Sequence, residues 1–404
     1  MLRAQVEVAR NDLRAVERLL TSDEPWRYEH FSSEFRQEVG KRLRSYFGER
    51  HLDLDSILDD LKAGKPLDQC WGRLRSVRIQ TEKTLRESLA LLAGLLVRRA
   101  QLDVGFCAVV ERLLGELADV MPPQISWAKG VILDVGDSFT PMSSIIRTRF
   151  PEFTVWALPI VGHEVGHVVM QELRRLNPDA RSHTYPLVEL AAKHSEAYVR
   201  SGKKPPRGGA SARAKALGDT FVRELFSDFF AVYALGASYA CSALLVRFEP
   251  WQADLPDSAH PPQVERAHLI IRTLRDVHGG FGNVADILEE TWNQLLLSCG
   301  VPAADKETVV PRLDDLAAAF LATAKRHLSD ARYLGRQTAS SLIASLEPGQ
   351  GQPAAPTESS IRDVLNAAWI ARLRKWDAPK GVEAIESSAM KLCRQIAAKG
   401  SEDE

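Results

Sequence analysis

Apolar residues recur every three or four positions through most of this chain, which is the spacing of helices that bury one face. Val6, Val8, Leu13, Val16, Leu19 and Leu20 mark a helix over residues 1–20. Ser32 or Ser33 is placed to cap a second helix running through Phe35, Val39, Leu43 and Phe47. Leu54, Ile57, Leu58 and Leu61 predict a short helix near 54–63, and a longer helical stretch covers 79–120 with a break at Asp103–Gly105. Pro122 and Pro123 stop it, because proline has no backbone N–H to donate. Residues 125–148 are rich in β-branched and aromatic residues with Gly and Pro punctuation, and they predict one or two short strands. Beyond Pro151 the helical pattern resumes, with Pro159 either opening the main helix or kinking it. A loop at 201–211, a helix over 212–246 and an irregular stretch at 249–262 follow, then helices over 263–277, 283–298 and 307–346. The Pro- and Gly-rich segment 347–359 reads as a linker, before a last helical pair over 360–399.

The fold class is therefore mainly α with a small β element. The pattern divides the chain into a helical N-terminal region (1–123), a central domain (124–300) and a helical C-terminal region (301–404).

Composition narrows the function classes. A 45% hydrophobic fraction supplies a core. The 52 Lys and Arg against 53 Asp and Glu argue against a nucleic-acid binder, and the basic stretches at 73–78 and 371–376 are short enough to be solvated faces. Cys70, Cys107, Cys241, Cys299 and Cys393 are far apart and contain no CxxC pair, so they predict free thiols in a reducing compartment. The charged first twenty residues do not read as a signal peptide. The longest apolar run, Leu89–Val97, falls well short of the about 20 residues that a membrane span needs. No membrane span and a cytoplasmic location are the expectations.

One segment carries chemistry. His163-Glu164-Val165-Gly166-His167 is H-E-x-x-H in a helical context. Histidines four residues apart share a helix face, with Cβ atoms about 5–6 Å apart, so both imidazoles can reach one metal ion. Glu164 is placed to act as general base toward water activated by that metal. Ile160, Val161, Val165, Val168 and Val169 surround the trio, and ionisable groups in so apolar a segment call for a compensating partner. Gly166, between the ligands, allows another element to approach closely.

A catalytic zinc takes three protein ligands and keeps one position open. Met170 and Leu173 stand where the metzincin pattern needs glycine and histidine, which excludes that layout. Glu224 is the preferred third ligand, with Glu189, Glu196 and His194 as competitors. Its distinction is Asp228, four residues on in the apolar helix that includes Leu225, Phe226, Phe229, Phe230, Val232 and Tyr233. Asp228 can accept a hydrogen bond from a ligand histidine and so fix its tautomer.

HEVGH followed by ELFSD resembles the gluzincin metallopeptidases. The later segment Ser258-Ala-His-Pro-Pro-Gln-Val-Glu-Arg266 resembles the S-x-H-P-P-x-x-x-R stretch of the CAAX prenyl endoprotease and heat-shock membrane protease families. The resemblance covers about residues 155–275 and implies a zincin-like core. It implies one zinc per chain held by His163, His167 and Glu224, with Glu164 as base and Asp228 behind a ligand histidine. It also places His260 near the site as an oxyanion donor, and Arg266 as a residue that holds the segment or contacts substrate. The chain departs from those families in having no transmembrane helices.

The implied activity is hydrolysis of peptide bonds in chosen protein or peptide substrates. The helical flanks are then candidates for binding a regulator or a second copy of the chain. The competing expectation is a catalytically silent, peptidase-like regulatory or interaction module.

Overall fold

A computed structural model describes residues 2–21, 33–100, 102–103, 105–122, 125, 131–134, 138–140, 145–149, 154–176, 210–256, 260–328, 331–346, 359–374 and 378–400. The chain is mainly helical and forms two compact units. One comprises Met1–Cys107 and Trp127–Pro151, the other Ala108–Ser126 and Glu152–Glu404. These units cut across the three regions expected from the sequence. Residues 127–151 cluster with the N-terminal helices, and the C-terminal region joins the unit that carries the H-E-x-x-H motif. The expected linker at 347–359 lies almost wholly outside the described residues.

In the first unit, α1 (Leu2–Thr21), α2 (Ser33–Lys62) and α3 (Leu67–Arg99) pack together. Leu2, Val6, Ala9, Leu13 and Val16 are spaced three or four apart and form the buried face of α1. They meet Leu43, Phe47, Leu54 and Ile57 of α2 and Cys70, Leu74 and Val77 of α3. The helix expected near 54–63 is the continuation of α2, since no residue between 47 and 54 breaks its backbone. Gly64, at φ 72°, turns the chain between α2 and α3. Three short strands complete the unit: β1 (Val131–Asp134), β2 (Ser138–Thr140) and β3 (Ile145–Arg149). The sheet order is β1-β3-β2, with β1 parallel and β2 antiparallel to β3.

The second unit is built around two helices, α5 (Val161–Leu176) and α6 (Ala210–Leu235). They follow α4 (Phe106–Asp119) in the chain. A single 3₁₀ turn at Leu158–Ile160, with Pro159 inside it, leads into α5, so this proline opens the helix and does not kink it. From Phe221 onward α6 is buried on nearly every side. Its rings Phe226 and Phe229 pack on Phe320, at centroid distances of 5.4 and 5.6 Å.

The helix expected over 212–246 is interrupted at Gly236, whose φ of 67° suits glycine alone at this site. A short helix α7 (Ala237–Ser242) and a π-helical turn (Ala243–Arg247) follow. A Cβ on Gly236 would lie 2.9 Å from the Tyr333 ring and 3.1 Å from Asn366 Oδ1. The unit continues with α8 (Gln263–Val277), α9 (Gly282–Cys299), α10 (Val309–His327) and α11 (Arg336–Leu346). It closes with α12 (Ile361–Arg374) and α13 (Pro379–Gly400). Among the described residues, no helix is long and apolar enough to cross a membrane.

The last carbonyls of a helix have no partner within it and must find one elsewhere. At the buried end of α6 they do. The Gly236 N–H and His278 Nε2 donate to the Val232 carbonyl, at 2.8 and 3.0 Å. The Tyr333 N–H donates to the Tyr233 carbonyl at 2.9 Å. Ser238 Oγ and Asn366 Nδ2 both donate to the Leu235 carbonyl at 2.8 Å. Asn366 Oδ1 in turn accepts the Ser238 N–H at 3.1 Å. The α12 helix thereby fixes the break between α6 and α7. At its own start, Glu116 of α4 accepts the Ile361 N–H at 2.8 Å.

Two predictions follow from this cap. Gly236→Ala combines strained backbone with a close contact and should lower stability by about 1–3 kcal/mol, read from denaturant unfolding. His278 is held neutral, its pKa pushed down from 6.5 to about 4 mainly by burial. Between pH 6.5 and 4 the unfolded chain binds this proton and the folded chain does not, so stability falls as pH falls through that window, by about 3 kcal/mol in all. In chelator, the stability lost between pH 7 and pH 4.5 should be smaller in His278→Gln than in the parent.

Candidate metal centre

Two glycines set the geometry of the site. A Cβ on Gly162 would lie 2.4 Å from Leu235 Cδ1, and one on Gly166 would lie 2.6 Å from the Ser227 Cα. The second contact is with backbone, so α5 and α6 pack here too closely for any side chain at position 166. His163 and His167 stand one turn apart on α5, and Glu224 and Asp228 one turn apart on α6. At this separation the four side chains meet.

His163 Nε2 lies 3.1 Å from Glu224 Oε2, and His167 Nε2 lies 3.4 Å from Glu224 Oε1. The imidazoles are edge to face, with centroids 4.8 Å apart. Ligand atoms of these three residues all lie within 4.8 Å of one another. Tetrahedral bonds of about 2.1 Å put neighbouring donors about 3.4 Å apart, and each histidine stands near that distance from one oxygen of Glu224. His163, His167 and Glu224 can therefore hold a metal ion. Glu164 is buried beside His163 in the sequence of α5.

Asp228 is 0% exposed and forms the other half of the site. His163 Nδ1–H donates to its Oδ1 at 2.9 Å, leaving Nε2 directed toward Glu224. Arg266 grips both carboxylate oxygens, Nε to Oδ2 at 2.7 Å and Nη2 to Oδ1 at 2.8 Å. The Tyr239 hydroxyl donates to Oδ1 at 2.5 Å. Ser227 Oγ pairs with His167 Nδ1 at 3.0 Å.

The charges are mutually dependent. Burial works against ionising Asp228, but Arg266 and His163 hold its carboxyl well below the usual carboxylate range. Burial likewise opposes charge on Glu224, yet its bond to His163 brings its pKa down to about 2. Burial resists protonation of His163, and Asp228 and Glu224 override it, raising the pKa to about 10. His167 goes the other way, to about 4, through burial and the neighbouring His163 charge. Burial and the Asp228 charge push the Tyr239 phenol well above its usual range. The Asp228 and Glu224 carboxylates are thus paired with the Arg266 guanidinium and the His163 imidazolium.

Of the residues singled out in the sequence, His163, His167, Glu224 and Asp228 come together as the i, i+4 spacings require. His260 Nε2 lies 3.5 Å from Glu224 Oε2, on a side chain that is 43% exposed. Arg266 reaches Asp228 and also lies over the Phe248 ring at 5.1 Å. Tyr233 stacks on Phe229 in the core. Glu189, Glu196, His194 and Ser258 lie outside the described residues. Sequence reasoning passed over Ser227. Its signal was its place three residues after Glu224, on the same helix face. The Tyr239 hydroxyl is committed to Asp228. No family model, no curated protein and no solved structure matches this chain.

Gly166→Ala should force the two helices apart. The expected cost is about 1–3 kcal/mol of stability, as for other overpacked interiors, together with weaker metal uptake. Gly115→Ala is the control, since a Cβ there meets nothing within 4 Å. Differential scanning calorimetry and metal titration on both variants check this.

Proposed function

We propose that this chain is a zinc-dependent metallopeptidase of the gluzincin type, cleaving selected proteins. One observation carries the reading: a single carboxylate, Glu224, faces both motif histidines while Asp228, one turn on, holds the first of them by Nδ1. Two imidazoles and a carboxylate are a donor set that suits zinc, and three protein ligands leave a position open to substrate.

When bound, the ion supplies positive charge that polarises a carbonyl and acidifies water. The chain's own residues do the rest. Glu164 accepts the proton of the water that attacks the substrate carbonyl and returns it to the departing amine. His260, exposed beside Glu224, donates to the oxygen on which negative charge develops. Asp228 accepts the His163 Nδ1–H, so that Nε2 would present its lone pair once an ion displaces the Nε2 proton.

The test combines metal content with hydrolysis. The purified parent should hold about one zinc per chain, and His167→Ala should lose it. Glu164→Gln should keep the zinc while its cleavage of an unfolded protein substrate falls by about 10²–10⁴-fold. A folded parent that takes up no zinc after stripping and resupply would sink the reading. Zinc uptake with no cleavage of any unfolded protein would move the weight to a silent interaction module.

A further inference from the structure

We infer that Tyr239 is a positioning residue of the metal site, acting on His163 through Asp228. The inference rests on the metal-site reading and adds a residue to it. In an unbroken helix, residue 239 would stand about 16 Å along the axis from residue 228. Its hydroxyl reaches Asp228 because the chain breaks at Gly236 and returns as α7. The break is itself held by Asn366, Ser238, His278 and Tyr333, so the placement of the phenol is built in from several elements.

The contact has the form of a device for orientation. Arg266 holds the Asp228 carboxylate from one side through both oxygens. The phenol and the His163 N–H share Oδ1, and the hydroxyl lies 3.3 Å from His163 Nδ1. The two rings are nearly parallel, 9° apart, with centroids 6.4 Å apart. A neutral donor at this point adds a third contact to Oδ1, beside Arg266 Nη2 and His163 Nδ1, without adding charge. It also confines the carboxylate, so His163 Nδ1 finds its acceptor in one place and Nε2 is aimed in one direction. Loss of such an outer partner typically weakens metal binding by about 10–100-fold.

The experiment is a double-mutant cycle read as zinc dissociation constants by chelator competition. Tyr239→Phe should weaken zinc binding about 10-fold or more in the parent background. In an Asp228→Asn background the same change should add less than about threefold, because the carboxylate through which the phenol acts is gone. Tyr333→Phe keeps the backbone N–H bond to Tyr233 that helps hold the break and removes only the hydroxyl bond to Asp363, at 2.8 Å, so it should leave zinc affinity unchanged. Equal losses of affinity in both backgrounds, or in Tyr333→Phe as well, would show a general structural effect and overturn the assignment. No uptake by the parent would overturn the metal-site reading with it. Uptake that Tyr239→Phe leaves unchanged would overturn the assignment alone. A reading that needs no variant comes from tyrosine-labelled parent protein by NMR. A Tyr239 hydroxyl proton protected from solvent exchange is expected, and a rapidly exchanging one would count against the role.

Discussion

The Asp228 carboxylate is wholly removed from solvent, and a charge in that position is strongly unfavourable unless fixed dipoles and opposite charges replace the lost water. Four hydrogen bonds from three side chains provide the replacement: two from Arg266 and one each from His163 and Tyr239. These donors come from α5, α7 and α8, so the aspartate also ties together the elements that surround α6. Any rearrangement of one of them strands a buried charge. The direction of the His163 ring depends on the same carboxylate.

Such close convergence requires helices without intervening side chains. Gly162 and Gly166 supply that on α5, where a methyl group would run into Leu235 or into the backbone at Ser227. Glycine weakens the helix that carries it by about 1 kcal/mol, so α5 trades local propensity for contact. The compensation lies in the apolar packing of Val165, Val168, Val169 and Leu173, all buried. The far end of α6 shows the same economy. Its carbonyls find donors in the side chains of Ser238, His278 and Asn366 and in the backbone at Gly236 and Tyr333.

The local parts of this arrangement were legible in the sequence because helical periodicity carries them. His163 with His167, and Glu224 with Asp228, are each one turn apart, and the apolar residues around them imply burial. The close approach at Gly166 could be read as well, since a glycine between two ligands in a helix lacks a local reason. Long-range facts were not legible. Nothing near Asn366 announces that its amide closes a helix more than a hundred residues earlier, and nothing at Arg266 shows which carboxylate it grips. The grouping of 127–151 with the N-terminal helices depends on contacts distant in sequence, which periodicity does not encode. The helix predicted through 212–246 failed at Gly236 because apolar residues continue across the break, and only the backbone sign at one position distinguishes the two.

The role of Asn366 in closing α6 bears on how the molecule is made. Every residue at the candidate site lies between 163 and 266, yet the clamp on the helix that carries Glu224 and Asp228 comes from residue 366. At a synthesis rate of about 5–20 residues per second, the intervening hundred residues take on the order of 5–20 s to appear. During that interval the nascent chain carries all the ligands but not the Asn366 amide, one of the groups that fix the turn toward Tyr239. Closure of the site is thus coupled to the folding of a helix made about a hundred residues later.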